Sequence, residues 1–234
     1  MMSKILVLNH KMNLLYDDVY NYIKELNEID TDNDIVVCPS SLYLESFVNY
    51  CEWGVGCQNF YFEEDGNYTG EISTNQLKSM GVDYAIIGHY ERKKYFKDTI
   101  EDDRKRLETC IDANIMPILC FGEEKKNISI DRVIDDLDKI LKNISHIDFI
   151  TFAYEPAFSI EDSDIYDIDE LKERIKSIYG YLEDKYNVKP RIIYGGNVNL
   201  ENVKNILQIE ELCGIILGTS STQVSFVKDI VCNM

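Results

Sequence analysis

Basic residues are scarce in this sequence, and their scarcity excludes two kinds of partner. The 234 residues contain 24 Lys and Arg against 42 Asp and Glu, so the formal net charge is −18 with histidine neutral. Nucleic-acid backbones and anionic membrane surfaces are held by clustered cations, which this composition does not supply. Any site for an anionic ligand must therefore be built locally, against the average field of the protein.

Metal-binding patterns, disulfide patterns and long apolar runs are also missing. The seven cysteines are odd in number, no CxxC motif occurs, and no two histidines stand at metal-ligand spacing. We therefore expect buried, reduced thiols and no metal site. The first apolar run, residues 5–8, is too short for a signal peptide or a membrane span, which predicts a cytoplasmic protein.

No Pro/Gly-rich linker, low-complexity segment or internal repeat divides the chain, so residues 1–234 are expected to form one domain. Short runs rich in Val, Ile and Tyr alternate with longer polar stretches, which is typical of buried parallel strands and their covering helices. The runs predict strands over 5–8, 35–38, 55–57, 84–87, 115–120, 149–153, 191–194 and 214–217.

The polar stretches between these runs have helical periodicity. Apolar positions spaced for one helix face predict helices through 133–144 and 171–182, and further helices are expected over 99–111 and 200–209. Strands alternating with helices in this way admit two α/β architectures, a closed parallel (β/α)8 barrel or an open doubly wound sheet. The chain length slightly favours the barrel.

Chemically capable residues follow several of the predicted strands. They stand at 9–11, 88–92, 154–156, 195–197 and 218–220. In a parallel barrel the carboxyl ends of all strands lie on one rim, where active sites are built. A carboxylate, a histidine, a lysine and two glycine-containing turns on this rim would suit the enolisation of a carbonyl compound.

Six motifs in chain order resemble the triose-phosphate isomerase family. They are NHKMN at 9–13, GCQN at 56–59 with YTGEIS at 68–73, IIGHYER at 86–92, CFGE at 120–123, AYEP at 153–156 and RIIYGG at 191–196. The resemblance spans the chain from the first predicted strand to the eighth, and it implies a closed parallel (β/α)8 TIM barrel.

The resemblance also implies an activity and an assembly. The activity is the interconversion of dihydroxyacetone phosphate and D-glyceraldehyde 3-phosphate by proton transfer through an enediolate, a step of glycolysis and gluconeogenesis. No cofactor is needed, because the reaction only relocates a proton. The loop around Thr69 resembles the loop that inserts into the neighbouring subunit in this family, which implies a homodimer.

Residue roles follow from the same resemblance. Glu155 would be the base that moves the proton, His89 would donate a hydrogen bond to the carbonyl oxygen, and Lys11 would add positive charge beside that oxygen. Asn9 would bond the same oxygen, and Glu91 would orient Lys11. The phosphate would be bound by the turns that contain Gly196, Asn197, Gly218 and Thr219. We expect the other histidines, His10 and His146, to be structural.

Several positions depart from the family pattern. The lid segment after the sixth strand has lost its glycines and carries three carboxylates where an anion should approach, Glu161, Asp162 and Asp164. Phe158 stands where the family has a tryptophan, and Tyr90 stands where it has a serine. Asn197 and Thr219 replace the family's usual serine and second glycine in the two phosphate-binding turns.

These departures leave three hypotheses for the function. The leading one is a triose-phosphate isomerase. The second is a paralogue that isomerises a different small hydroxy-carbonyl compound, which the changed lid would suit. The third is a catalytically inactive barrel that serves as a binding module, although the retention of Lys11, His89 and Glu155 opposes it.

Overall fold

Eight parallel strands close into a barrel in the computed structural model, which describes residues 3–161 and 164–234. Each strand pairs with the next, and the eighth pairs with the first. The closed barrel is therefore confirmed and the open sheet excluded. The strands are β1 (Ile5–Asn9), β2 (Asp34–Cys38), β3 (Gly54–Cys57), β4 (Tyr84–Ile87), β5 (Met116–Phe121), β6 (Thr151–Tyr154), β7 (Arg191–Tyr194) and β8 (Leu212–Leu217).

Two strands begin later than the sequence predicts. The predicted start of the sixth strand at Phe149 is wrong, because residues 147–149 form a 3-10 turn in which the Phe149 amide donates to the carbonyl of His146. The fifth strand begins after Ile115, whose amide donates instead to the carbonyl of Cys110 at 3.0 Å. Local hydrogen bonds therefore hold both residues outside the ladder.

Helices surround the barrel, and four of them match the predicted ones. The α-helices of the described chain are α1 (Val19–Asn27), α2 (Leu44–Tyr50), α3 (Thr74–Met80), α4 (Tyr90–Phe96), α5 (Ile100–Asp112), α6 (Ile130–Leu141), α7 (Ala157–Glu161), α8 (Ile168–Tyr186), α9 (Val203–Leu207) and α10 (Val224–Val231). Within the described ranges, none of them is long and apolar enough to span a bilayer.

Two predicted helices end earlier than expected. The helix predicted through 133–144 ends at Leu141, because Asn143 adopts the left-handed conformation with φ 65°. The helix predicted over 200–209 spans only Val203–Leu207. Before it, the Asn199 side chain accepts from the amides of Glu201 and Asn202 and forms a turn in place of the first helical residues.

The cysteines are only partly as expected. All seven are unpaired thiols. Four are buried, namely Cys38, Cys57, Cys110 and Cys120, whereas Cys51 and Cys213 are half-buried. The expectation of a buried thiol is wrong for Cys232, because it lies at the exposed end of the last helix.

Side chains of β1 alternate between the barrel interior and the helices, as the two-residue period of a strand requires. Ile5 and Val7 join the interior cluster, and Leu6 and Leu8 pack outward. His10 also packs outward and is fully buried, with its ring 4.6 Å from Tyr22 of α1 and 5.7 Å from Phe47 of α2. Burial lowers the pKa of His10 to about 4.

The pKa of His10 predicts acid sensitivity. An unfolded histidine has a pKa of about 6.5, so between about pH 6.5 and pH 4 the unfolded chain binds the proton and the folded chain does not. Stability is therefore lost as the pH falls through this window. From pH 7.5 to pH 5, urea unfolding at fixed protein concentration should show a loss about 2 kcal/mol larger for the unmodified chain than for His10→Phe. Equal losses would contradict the assignment.

Candidate active site

A cleft of about 300 Å³ opens at the carboxyl ends of the strands. The predicted site residues that line it are Asn9, Lys11, His89, Glu155, Gly196, Asn197, Gly218 and Thr219. Barrel closure thus brings together residues that are far apart in the chain. A larger cavity of about 530 Å³ lies within residues 61–79, but carboxylates line it and oppose an anionic ligand.

Lys11 has a backbone conformation that needs support. Its φ is 53°, in the left-handed region, which side-chain-bearing residues adopt only where their surroundings enforce it. The Gln58 side chain donates to the carbonyls of Lys11 and Cys38 at 2.8 and 2.9 Å, and the Lys11 amide donates to Asn9 Oδ1. Gln58 belongs to the GCQN motif at 56–59, but the motif by itself does not indicate this supporting role.

The Lys11 side chain is oriented by the carboxylate of Glu91, which follows β4. Its Nζ donates to Glu91 Oε1 at 2.7 Å, and both side chains are partly buried. Glu91 does not line the cleft itself. This geometry is what the expected orienting role of Glu91 requires, because a partly buried ion pair restricts the lysine to few rotamers.

His89 precedes α4 and caps it. The amide of Glu91 donates to His89 Nδ1 at 3.3 Å, so this nitrogen is an acceptor and the ring proton resides on Nε2. Nε2 lies 3.8 Å from Glu155 Oε2, which is too far for a hydrogen bond between them. The imidazole therefore offers an N–H donor to a ligand in the cleft.

Glu155 follows β6 and is buried beside this donor. Its amide donates to the carbonyl of Phe121 at 2.7 Å, and its Oε2 is buried with no hydrogen-bond partner in the described chain. A Cβ on Gly195 would lie 2.7 Å from Glu155 Oε1, so glycine is needed there. Burial, and then the adjoining Glu155, raises the pKa of the Cys120 thiol, which stays protonated and adds no second negative charge.

The two turns expected to bind phosphate have different neighbours, and the Gly196 turn is packed tightly. A Cβ on Gly196 would lie 2.3 Å from Ser159 Oγ and 2.5 Å from Tyr194 Oη. Gly218 faces Lys11, because its Cβ would lie 3.6 Å from Lys11 Nζ. One turn therefore contacts the lid segment, and the other contacts the lysine.

The described lid carboxylates do not obstruct the cleft. Residues 157–161 of the lid form a short helix, and Glu161 at its end pairs with Lys94 of α4 at 2.6 Å. Asp164 pairs with Lys126 at 2.9 Å, and neither carboxylate lines the cleft. The sequence left open whether these carboxylates lie across the entrance, and the structure pairs these two with lysines instead. Asp162 lies outside the described residues.

Glu123 holds both ends of the lid segment, a role that the sequence analysis did not assign. Its carbonyl accepts from the amide of Ala157, where the lid helix begins. Its buried carboxylate accepts from Tyr166 at the other end of the lid, and also from Tyr154 and Arg174. Phe158, which stands in place of the family's tryptophan, packs edge-on against Tyr166 with the ring centroids 5.1 Å apart.

Tyr90 contributes a phenol to the cleft. Its ring centroid lies 5.0 Å from that of His89, and the side chain is half-buried. Desolvation and then the carboxylates of Glu91 and Glu161 raise the pKa of Tyr90 well above its ordinary value. The hydroxyl therefore remains a proton donor. In residues 3–161 and 164–234, no cluster of three or more His, Cys, Asp or Glu could hold a metal ion.

The protein is a closed parallel (β/α)8 barrel with a polar cleft at the carboxyl ends of its strands. The family model described as Triosephosphate isomerase matches residues 4–234. The chain therefore belongs to the triosephosphate isomerase family.

Curated relatives agree with this assignment. A protein named Triosephosphate isomerase from Francisella tularensis subsp. holarctica (strain LVS) is 31% identical over 98% of this chain and 96% of the relative. A protein of the same name from Ehrlichia chaffeensis is 33% identical with the same coverage. Another from Francisella philomiragia is 30% identical, also over 98% of this chain. The similarity thus covers the whole barrel.

The close packing at Gly196 predicts opposite outcomes for two glycine substitutions. Gly196→Ala should destabilise the protein by about 1–3 kcal/mol, because the new methyl overlaps Ser159 and Tyr194. Gly180→Ala, inside α8 where a Cβ meets nothing within 4 Å, should stabilise it by about 0.5–1 kcal/mol. Urea unfolding measures both changes, and a neutral effect of Gly196→Ala would refute the packing argument.

Proposed function

We propose that this chain, acting as one domain over residues 1–234, interconverts dihydroxyacetone phosphate and D-glyceraldehyde 3-phosphate. The observation that carries the proposal is the buried, unpartnered Oε2 of Glu155 facing the Nε2 donor of His89 in one cleft. Membership of the triosephosphate isomerase family supports the same reaction.

Glu155 is the proposed base. Its carboxylate takes a proton from the carbon next to the substrate carbonyl, the resulting carboxylic acid exchanges its proton with solvent, and it then delivers a proton to the former carbonyl carbon. The electron pair of the broken C–H bond forms the enediolate. The hydroxyl proton of the first carbon then passes to the former carbonyl oxygen beside His89 Nε2, so that the new carbonyl forms at the first carbon. Because Oε2 has no protein partner, it is available to the substrate without breaking an existing hydrogen bond.

His89 and Lys11 stabilise the charge that develops on the substrate oxygen. The Nε2 proton of His89 is fixed by the hydrogen bond at Nδ1, so it is directed into the cleft before substrate arrives. Lys11 adds a positive charge, and Asn9 lines the cleft beside it. Preorganised donors of this kind lower the barrier because they do not reorient during the reaction.

The phosphate is assigned to the turns at Gly196–Asn197 and Gly218–Thr219. Both turns line the cleft, and Gly218 lies beside the Lys11 ammonium group. The Lys11 ammonium group supplies a local positive potential for the phosphate, although the net charge of the protein is −18. The reaction relocates a proton within the substrate, so the proposed mechanism uses no cofactor.

The other two hypotheses rested on the altered lid. The described carboxylates of that lid are paired with Lys94 and Lys126, so they give no reason to replace the phosphorylated substrate. These pairs are solvent-exposed and add little stability, but they fix where the negative charges lie. Neither a paralogous substrate nor an inactive barrel is favoured.

We also propose a homodimer formed through the loop around Thr69. Large apolar side chains remain exposed beside β1 and β2, among them Met12, Leu15 and Leu42, which are 90%, 68% and 84% exposed. Exposure of large apolar side chains to water is unfavourable, so these side chains are suited to burial against a partner subunit. The unpaired thiols agree with a cytoplasmic location.

Replacing the proposed base tests the reaction. Glu155→Gln should lower kcat for dihydroxyacetone phosphate by about 10²–10⁴-fold, because the amide cannot accept the proton. A coupled assay for glyceraldehyde 3-phosphate measures the rate. The matched control is Glu173→Gln on the exposed face of α8, which should keep the full rate. Absence of turnover by the unmodified chain at millimolar substrate would refute the proposed function.

Sedimentation tests the dimer. The unmodified chain should sediment with twice the mass of one chain, and Leu42→Asp should raise the dimer dissociation constant by about tenfold or more, because a carboxylate is costly to desolvate. Leu200→Asp is the control, since Leu200 is also exposed but follows β7, far along the chain from Thr69. A monomeric unmodified chain would exclude the proposed assembly.

A further inference from the structure

A buried hydrogen-bond relay links the end of β1 to the turn after β8. His10 Nε2 lies 2.9 Å from the Tyr22 hydroxyl, and that hydroxyl lies 2.7 Å from the carbonyl oxygen of Ser221. His10 and Ser221 are fully buried, and Tyr22 is 5% exposed. The proposed catalytic mechanism does not use any of these three residues.

The direction of the relay follows from proton counting. The Ser221 carbonyl can only accept, so the Tyr22 hydroxyl gives it its single proton. Tyr22 must then accept from His10, which carries its ring proton on Nε2. His10 Nδ1 is buried without a partner, so a second proton on the ring would have no acceptor. The neutral histidine thus fixes the orientation of the tyrosine hydroxyl.

Both ends of the relay adjoin residues of the cleft. His10 stands between Asn9 and Lys11 in the chain. Ser221 belongs to the 3-10 turn Thr219–Thr222, and its amide donates to the carbonyl of Gly218 at 2.9 Å. A change in the position of Ser221 is therefore transmitted directly to the turn that we assign to the phosphate.

The Gly218–Thr219 turn, which lines the cleft, lies beyond the end of the β1–β8 ladder. The pairing of β1 with β8 ends at Leu8 and Leu217, one residue before Gly218. Beyond this point the Tyr22–Ser221 hydrogen bond ties the turn to α1. This buried hydrogen bond therefore contributes to holding the turn in place.

We propose that Tyr22, oriented by His10, is a positioning residue that sets the distance between the Gly218–Thr219 turn and Lys11 for an anionic phosphate group. The inference rests on the proposed function in assigning phosphate to this turn. It adds residues that lie outside the cleft, behind β1, and it explains why a histidine stands at position 10.

The test compares three single substitutions: Tyr22→Phe, His10→Phe and the control Tyr181→Phe. Tyr22→Phe keeps the ring and removes both hydrogen bonds, so it should raise the inhibition constant of inorganic phosphate and the KM of dihydroxyacetone phosphate by about threefold to tenfold. The kcat should stay within about twofold, since Glu155 and His89 are untouched. His10→Phe keeps the Tyr22–Ser221 bond and should raise the same constants by about twofold.

Tyr181→Phe is the matched control. Its hydroxyl donates to Asp138 at 2.6 Å between α6 and α8, remote in the fold from the cleft. The variant should leave both constants unchanged. A uniform loss of activity in all three variants would show a merely structural role for Tyr22 and overturn the proposal.

Calorimetric titration with inorganic phosphate separates this proposal from the proposed function. Weaker phosphate binding by Tyr22→Phe, even in a chain that turns over no triose phosphate, supports the positioning role. Unchanged phosphate binding by Tyr22→Phe and His10→Phe overturns it, whatever the isomerase assay shows.

Discussion

The other residues of the site are arranged around the buried carboxylate of Glu155. Leaving one of its oxygens without a partner costs on the order of 1–3 kcal/mol, which a folded chain retains only if neighbouring contacts enforce it. Gly195 leaves room for the other oxygen, and the protonated Cys120 avoids a second charge. Barrel closure then brings β4 with His89 and β1 with Lys11 to the same rim.

Much of this arrangement could be predicted from the sequence, because it depends on local patterns. Buried strands produce short apolar runs, and parallel closure places every strand end on one rim. Position alone therefore places the proposed catalytic residues His89 and Glu155 on this rim, whereas their proposed roles came from the family resemblance. The strand boundaries at Phe149 and Ile115 were missed because single hydrogen bonds to nearby turns decide them.

Contacts between distant side chains could not be predicted in the same way. Gln58 supports Lys11 across 47 positions, and Tyr22 reaches Ser221 across 199. The sequence shows the negative charge of Glu161 near the expected path of an anion. It does not show that Lys94 lies beside this carboxylate and pairs with it. The net charge of the chain therefore predicts little about the electrostatic field in the cleft, because individual ion pairs determine that field.

The central claim is that Glu155 relocates a proton that it exchanges with solvent, and isotope incorporation tests it most directly. Turnover of dihydroxyacetone phosphate in D2O, followed by NMR, should place deuterium on the carbon next to the carbonyl of the product. Glu155→Gln should abolish this incorporation. A product that retains only the original hydrogen, or incorporation that is unchanged in Glu155→Gln, would contradict the account.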